Sequence, residues 1–161
     1  MDAQIEKLKD ILDFNPTTGL FTWRVRMSQK IKQGSPAGWR DCNGYIKITI
    51  FGKRHRAHRL AWAIHYGEWP SSMIDHINGN GEDNRICNLR LTTHQGNLQN
   101  IRKSYSGSEV ESLGVHMDGK KYRAQIRVGA QRINLGSFNT EEDARKAYIT
   151  AKRKYHKTCS I

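Results

Sequence analysis

The stretch from residue 73 to 93 is the part of the chain best equipped for chemistry, because it is dense in Asp, Asn, His and Gly. Hydrolysis of a phosphodiester needs a hard cation and a base that takes a proton from the attacking water. Asp75 and Asn97 offer the oxygen ligands that Mg²⁺ or Mn²⁺ prefers. His76 suits the role of general base because an unperturbed imidazole is largely neutral near pH 7. The residue types therefore predict metal-assisted hydrolysis of a phosphodiester.

These side chains need a strand, a loop and a helix to position them. The spacing predicts a short strand that ends at His76, a polar loop turned by glycines, and a second strand through Leu89 and Leu91. A helix capped by Thr92 or Thr93 follows and carries Asn97 about one turn from its start. Since neighbouring side chains of a strand point to opposite faces, His76 cannot easily bind the same ion as Asp75.

The sequence before this region predicts a scaffold of short elements. Apolar residues at helical spacing predict a helix over 2–14, and apolar and aromatic residues predict a strand over 20–23. A hairpin is predicted from two strands, 45–50 and 53–58, that flank Phe51-Gly52, where glycine can adopt a positive φ. A helix over 58–66, ending against Gly67, is expected to pack on this hairpin.

The motifs of this half resemble those of HNH homing endonucleases of phages and introns. They cover roughly residues 43 to 100 and comprise Asp75-His76-Ile77-Asn78-Gly79, Asp83-Asn84-Arg85, Asn88-Leu89-Arg90 and Asn97-Leu98-Gln99-Asn100. The resemblance implies a ββα-metal finger with four catalytic residues. His76 would be the base, Asp75 and Asn97 would hold one divalent ion, and Asn88 would steady the site. Single residues of these types are commonly turn or surface residues, and it is their joint spacing that favours catalysis.

The charge of the chain indicates a polyanionic partner. Lys and Arg number 27 against 15 Asp and Glu among 161 residues, giving a net charge of +12. Residues 1–100 and 101–161 are both basic, so we expect both to contact double-stranded DNA. No stretch approaches the roughly 20 apolar residues of a spanning helix, and no signal-peptide pattern begins the chain. The sequence predicts a protein of the host cytoplasm, without a membrane partner, encoded by a phage or another mobile element.

The three cysteines are predicted to be reduced thiols. Cys42, Cys87 and Cys159 are scattered singly, without a Cys-x-x-Cys spacing. A structural zinc ion would need four close ligands, and no such cluster is visible in the sequence. We therefore expect one divalent Mg²⁺ or Mn²⁺ ion and no structural zinc.

The sequence beyond residue 101 contains a linker followed by a second predicted domain. Residues 102–112 have the composition of a linker, which places a domain boundary between 1–101 and 113–161. Beyond the linker, alternation in Tyr122–Val128 predicts a strand with one packed face and one polar face. A capping box at Thr140 begins a helix that runs toward Lys157. The pattern predicts a small three-stranded antiparallel sheet on one helix, and an α+β fold for the whole chain.

This second module resembles an AP2 DNA-binding domain over about residues 113 to 157. The resemblance rests on Gly114-Val115, Tyr122–Arg127, Leu135–Phe138 and Glu142–Tyr148. It implies that the sheet lies in the major groove of DNA. The residues that the resemblance assigns to DNA contact are His116, Gln125, Arg127, Arg132 and Asn134. Arg123 lies on the same polar face and is predicted to contact DNA as well. Asp118 and Asn134 depart from the residues typical of plant members, so the DNA sequence those members favour cannot be transferred.

Three classes of function remain open at this point. The first is a homing-type endonuclease that acts as a monomer and nicks one strand, since no dimerising heptads occur. The second is a DNA-binding regulator with an inactive HNH finger, although Asp75, His76, Asn88 and Asn97 are all competent residue types. The third is an RNA-directed or structural protein, which the missing aromatic stacking platform disfavours. Charged sheet faces are usually just solvated, but Arg and Gln can also pair with guanine and adenine.

Overall fold

The computed structural model describes residues 2–101 and 110–156. The chain forms two compact units, 1–94 and 95–161. The fold is α+β with small antiparallel sheets, as the sequence predicts. Most of the predicted linker, residues 102–109, lies outside the described residues. No helix in the described ranges is long and apolar enough to cross a membrane.

The first unit begins with a helix that is shorter than the predicted one. Helix α1 (Ala3–Ile11) is capped by the side chain of Asp2, which accepts from Gln4. The sequence predicted helix through residue 14, but Leu12–Phe14 is a strand, β1, paired antiparallel with β2 (Phe21–Trp23). The strand prevails because pairing buries Leu12 opposite Trp23 and stacks Phe14 on Phe21 with ring centroids 4.6 Å apart.

A three-stranded sheet follows and carries a helix. Its strands are β3 (Trp39–Arg40), which the sequence analysis missed, β4 (Ile46–Ile50) and β5 (Lys53–Arg56), in the order β3-β4-β5. Helix α2 (Ala57–Tyr66) begins directly after β5, so the predicted second hairpin strand ends two residues early. It ends at Gly67, whose φ of 76° is left-handed.

The segment rich in Asp, Asn, His and Gly contributes the next pair of strands. Strand β6 (Met73–His76) pairs antiparallel with β7 (Leu89–Thr92), and a 3-10 helix (Ile86–Asn88) leads into β7. The first unit has one apolar core, to which α1, the small sheets and α2 all contribute. Its buried members are Leu8, Leu12, Phe21, Trp23, Ala37, Ile48, Ile50, Ala57, Leu60, Ala61, Ile74 and Leu89.

Helix α3 (His94–Gln99) begins at the last residue of the first unit, and the second unit also contains three strands and the long helix α4 (Glu141–Tyr155). Strands β8 (Val115–Asp118), β9 (Lys121–Val128) and β10 (Gln131–Phe138) form an antiparallel sheet in the order β10-β9-β8. Helix α4 packs Ala144, Tyr148 and Ala151 against the apolar face of this sheet. Thr140 caps α4 by accepting from the backbone N–H of Asp143, as the predicted capping box requires.

The two compact units meet before the predicted linker. Packing divides the chain between His94 and Gln95, whereas the sequence placed the end of the first domain at residue 101. One reason is Lys152, which is 1% exposed and donates to the backbone carbonyl of Ile101. The last residues of the predicted linker are also packed rather than solvated, since Val110 and Ser112 are buried and Ser112 bonds to Glu141.

Candidate active site

Strand β6 places two buried ionisable side chains next to each other. Asp75 is 6% exposed and His76 is 4% exposed. Both lie at the end of β6, where Asp75 is paired with Arg90 and His76 with Leu89 of β7. Buried ionisable groups are costly unless they are bonded or serve a reaction. This pair is therefore the best candidate for catalysis in the first unit.

Asp75 is held by a two-point contact with Arg90. The Nε and Nη2 atoms of Arg90 donate to Asp75 Oδ2 over 3.0 and 2.7 Å. Their positions opposite each other in the β6–β7 register make the contact possible. This charge-assisted contact fixes the orientation of the buried carboxylate. Sequence reasoning did not single out Arg90, although its place beside Leu89 in the second strand pointed to it.

His76 is held by an asparagine in the loop between the two strands. Its Nε2 lies 3.3 Å from Asn84 Oδ1, and Asn84 Nδ2 donates to the backbone carbonyl of Glu82. Because that bond directs the amide oxygen of Asn84 at the ring, Nε2 must carry the proton in the neutral imidazole. The basic lone pair is then on Nδ1. Burial is the largest influence on the pKa of His76 and lowers it. The lowered pKa favours the neutral form that a general base requires.

Two further rings surround His76. His58 meets it edge-on, with centroids 5.0 Å apart, and the ring centroid of Tyr45 is 5.9 Å away. The Nδ1 atom of His58 is buried and has no hydrogen-bond partner among the described residues. The sequence analysis had placed Tyr45 and His58 only in the elements before the motif, because single-sequence patterns do not show which rings share a pocket.

Asn88 organises the loop that joins the two strands. Its side chain accepts from the backbone N–H of Asn78 and donates to Asn78 Oδ1 and to the carbonyl of Asp83, at 2.8 to 3.0 Å. Arg85 in turn forms a two-point contact with Asp83. These bonds fix the polar loop while Asn88 itself is 6% exposed. Asn88 therefore acts on the architecture of the loop.

A turn far away in the sequence also anchors this loop. The backbone N–H of Ile86 donates to the carbonyl of Pro16 over 3.1 Å. Gly19 has a φ of 74°, and a Cβ there would lie 2.5 Å from the backbone nitrogen of Arg85. Only glycine permits both the left-handed conformation and this close approach. The turn after β1 thus supports the catalytic loop directly.

Asn97 lies on helix α3, in the second unit. Asp75 belongs to the first unit, and the approach of Asn97 to it stays a prediction. Among the described residues, no group of three His, Cys, Asp or Glu side chains could hold a metal ion. Asp75 with an asparagine is nonetheless a donor set that suits a Mg²⁺-like ion, which typically takes one or two carboxylates and completes its shell with water and phosphate oxygens.

All six side chains predicted to contact DNA lie on one face of the second unit's sheet. The register pairs them across the strands as His116 with Arg123, Gln125 with Asn134, and Arg127 with Arg132. This face is opposite to the one that α4 covers. Four of the six have side-chain partners within the unit. Gln125 Nε2 lies 2.9 Å from His116 Nε2, Arg123 pairs with Asp118 at 2.5 Å, and Asn134 Oδ1 accepts from the backbone N–H of Gly136.

Comparison with known families gives one match, and it covers the site just described. Residues 55–99 match the family model described as HNH endonuclease. No curated protein and no solved structure matches the chain. The matched segment contains Asp75, His76, Asn84, Asn88 and Asn97. The comparison supports a nuclease, which is a hydrolase, with DNA as its substrate, and HNH nucleases generally use a divalent metal.

The buried histidines should make folding stability depend on pH. Burial, followed by the positive fields of His76 and Arg56, lowers the pKa of His58 from 6.5 to about 3. Between pH 6.5 and 3 the unfolded chain therefore binds a proton at His58 that the folded chain does not bind. The contribution of neutral His58 to stability is complete above pH 6.5 and is lost as pH falls toward 3. We expect the free energy of unfolding to drop by about 1.4 kcal/mol per pH unit in this range.

Denaturant titrations at about pH 7 and about pH 5 measure this slope. His58→Gln should flatten it, leaving the smaller contribution of His76, whose pKa burial also lowers. His65→Gln is the matched control, because His65 is exposed on the same helix. Equal slopes for the parent and His58→Gln would contradict this explanation.

Proposed function

We propose that the protein is a site-specific DNA endonuclease of the homing type that nicks duplex DNA. The observation that carries the proposal is the buried Asp75-His76 pair inside the segment that matches HNH endonucleases. In this proposal the segment works as a ββα-metal finger and the protein acts as a monomer. A phage or another mobile element would encode it, and it would act in the cytoplasm of a bacterial host.

The proposed chemistry divides the work among few residues. His76 takes a proton from the attacking water through Nδ1, since Asn84 engages Nε2. Asp75 and Asn97 would hold one Mg²⁺ or Mn²⁺ ion, which when bound neutralises charge that develops on the phosphate. Arg90 holds Asp75 in its orientation. Asn88 keeps the loop in the shape that places Asn84 against His76.

Incubation of the purified protein with supercoiled plasmid tests the activity. We expect open-circular product with Mg²⁺ or Mn²⁺ and none after a chelator is added. His76→Ala protein, purified in the same way, controls for contaminating nucleases. Linear product at the earliest times would contradict nicking by a monomer. A lack of product with either metal would favour the other candidate, a DNA-binding regulator with an inactive finger.

The polar face of the β8–β9–β10 sheet is proposed to select the DNA site, in the manner of an AP2 domain. Its support is the alignment of six side chains with hydrogen-bonding or charged ends on the face opposite α4. Arginine can bond guanine with two hydrogen bonds, and glutamine can bond adenine in the same way. The remaining side chains would position the sheet on phosphates.

Arg127→Ala should separate site selection from cutting. Arg127 is exposed on this face, so its loss is expected to reduce discrimination between cognate and scrambled DNA by about 1–3 kcal/mol, while nonspecific nicking persists. Binding and single-turnover cleavage on both DNAs measure the two effects. Arg145→Ala removes the same charge from the exposed side of α4 and should leave discrimination unchanged. Loss of cutting on every substrate in Arg127→Ala would show that the two roles are not separate.

A further inference from the structure

The tip of the β4–β5 hairpin contains an unusual residue. Phe51 and Gly52 form a two-residue turn with φ values of 51° and 73°, and Phe51 is the one described non-glycine residue with a positive φ. Such turns favour Asn-Gly, and a bulky side chain in the left-handed region is strained. The ring is also 58% exposed. Both the strained backbone and the exposed apolar ring of Phe51 lower the stability of the fold. Such a residue points to a role outside folding.

The hairpin belongs to a sheet with two different faces. Ile48 and Ile50 are buried in the core, and side chains alternate along each strand. The cross-strand pairs place the opposite side chains together on what we call the outer face. Its members are Trp39, Lys47 and Arg56 in one row and Thr49 and Arg54 in the next.

The outer face is cationic and partly aromatic. Trp39 is 44% exposed, and Arg54 is exposed and has no hydrogen-bond or ion-pair partner among the described residues. The acid Asp41 lies beside the face and forms an ion pair with Lys47 at 2.9 Å. This contact lowers the pKa of Asp41 to about 2. Arg54 and Arg56 thus have no carboxylate partner among the residues that the structure describes.

The outer face leads directly to the candidate active site. Arg56 places its guanidinium carbon 4.7 Å from the centre of the Tyr45 ring. Tyr45 is in turn one of the rings around His76, at 5.9 Å. All three residues belong to the first unit. A polyanion whose phosphate reached His76 would therefore meet Arg56 and then Arg54 along one continuous surface.

We propose that the outer face, with Phe51 at its end, is a second DNA-binding surface of the protein. Its arginines contact backbone phosphates on one side of the cleavage point, and the Phe51 ring enters a groove and packs against bases. A two-stranded β-ribbon fits the major groove of duplex DNA, and apolar side chains such as phenylalanine contact the thymine methyl group there. The proposal rests on the proposed function in taking duplex DNA as the substrate.

Binding without cleavage tests this surface. The probe is a fluorescein-labelled duplex of mixed sequence, about 30 base pairs long to exceed the footprint of one small domain, titrated by anisotropy in the presence of a chelator. Phe51→Asn should lower affinity about tenfold, the scale of one lost base contact. It should keep or raise the melting temperature, because asparagine suits the turn. Arg54→Ala should reduce the slope of log affinity against log salt by about 0.9.

Lys7→Ala is the matched control, since Lys7 is an exposed cation on α1, away from the sheet. It should leave the salt slope at the parental value. If Phe51→Asn and Arg54→Ala bind as the parent does while the parent cuts plasmid, this inference alone is overturned. If both variants lose binding but the parent cuts nothing with either metal, the surface stands and the proposed nuclease function fails. A parent that does not bind the duplex overturns both.

Discussion

Replacing His76 with alanine is expected to slow single-turnover cleavage by about 10²-fold or more, the usual scale for a positioned proton transfer. The change removes the imidazole that Asn84 orients, but it leaves Asp75 and the Asp75–Arg90 contact in place. Affinity for DNA should therefore stay nearly unchanged. The measurement is cleavage of labelled duplex with enzyme in excess, alongside binding in chelator.

A second variant guards against a trivial loss of folding. His76→Gln retains a polar side chain of similar length and should be as slow as His76→Ala if proton transfer is what is lost. The melting temperatures of both variants give the control, because a stable but slow protein separates chemistry from structure. Cleavage by either variant at the parental rate would remove His76 from the mechanism.

Replacing Asp75 is expected to abolish cleavage at ordinary metal concentrations and to change its metal dependence. Asp75→Ala loses a carboxylate assigned to the ion, so occupancy should fall and added Mn²⁺ should restore part of the activity. It also removes the two hydrogen bonds that Arg90 donates to Asp75, so a loss of stability is expected as well. Rates measured over a range of Mg²⁺ and Mn²⁺ concentrations show whether the deficit is one of occupancy.

Asp75→Asn separates the two consequences. The amide keeps the shape of the side chain and one oxygen near Arg90, so the variant should be more stable than Asp75→Ala while its metal dependence remains shifted. Arg90→Lys complements it, because that change keeps the charge but removes the two-point contact. Parental activity of Asp75→Asn at the same low metal concentration would exclude Asp75 as a ligand.

The elements around the candidate site were accessible from the sequence for identifiable reasons. Glycine and proline residues at turns marked the ends of the hairpin strands. The alternation of apolar and polar residues gave the two faces of β9. The strands β6 and β7 followed from short apolar runs on each side of a polar loop. Local chemistry determined these features, since each depends on residues close together in the chain.

The misassigned elements depended on partners distant in sequence. Leu12 and Phe14 continue a helical pattern, but they pair with β2 because that pairing buries them. The strand β3 has two residues, too few for a periodic signal, and exists through its pairing with β4. Ile101 likewise packs within the second unit through a distant partner, since Lys152 donates to its backbone carbonyl.

By itself, the sequence determined which residues could do the chemistry. The adjacent Asp75 and His76, the later asparagines and the basic composition predicted a metal-assisted nuclease, and the family match at residues 55–99 supports the nuclease. The tertiary structure decided which nitrogen of His76 faces Asn84, which arginine orients Asp75, and which rings enclose His76. These contacts join β4, α2, β6 and the loop before β7, and only folding brings such distant segments together, because burial of the shared core fixes their positions.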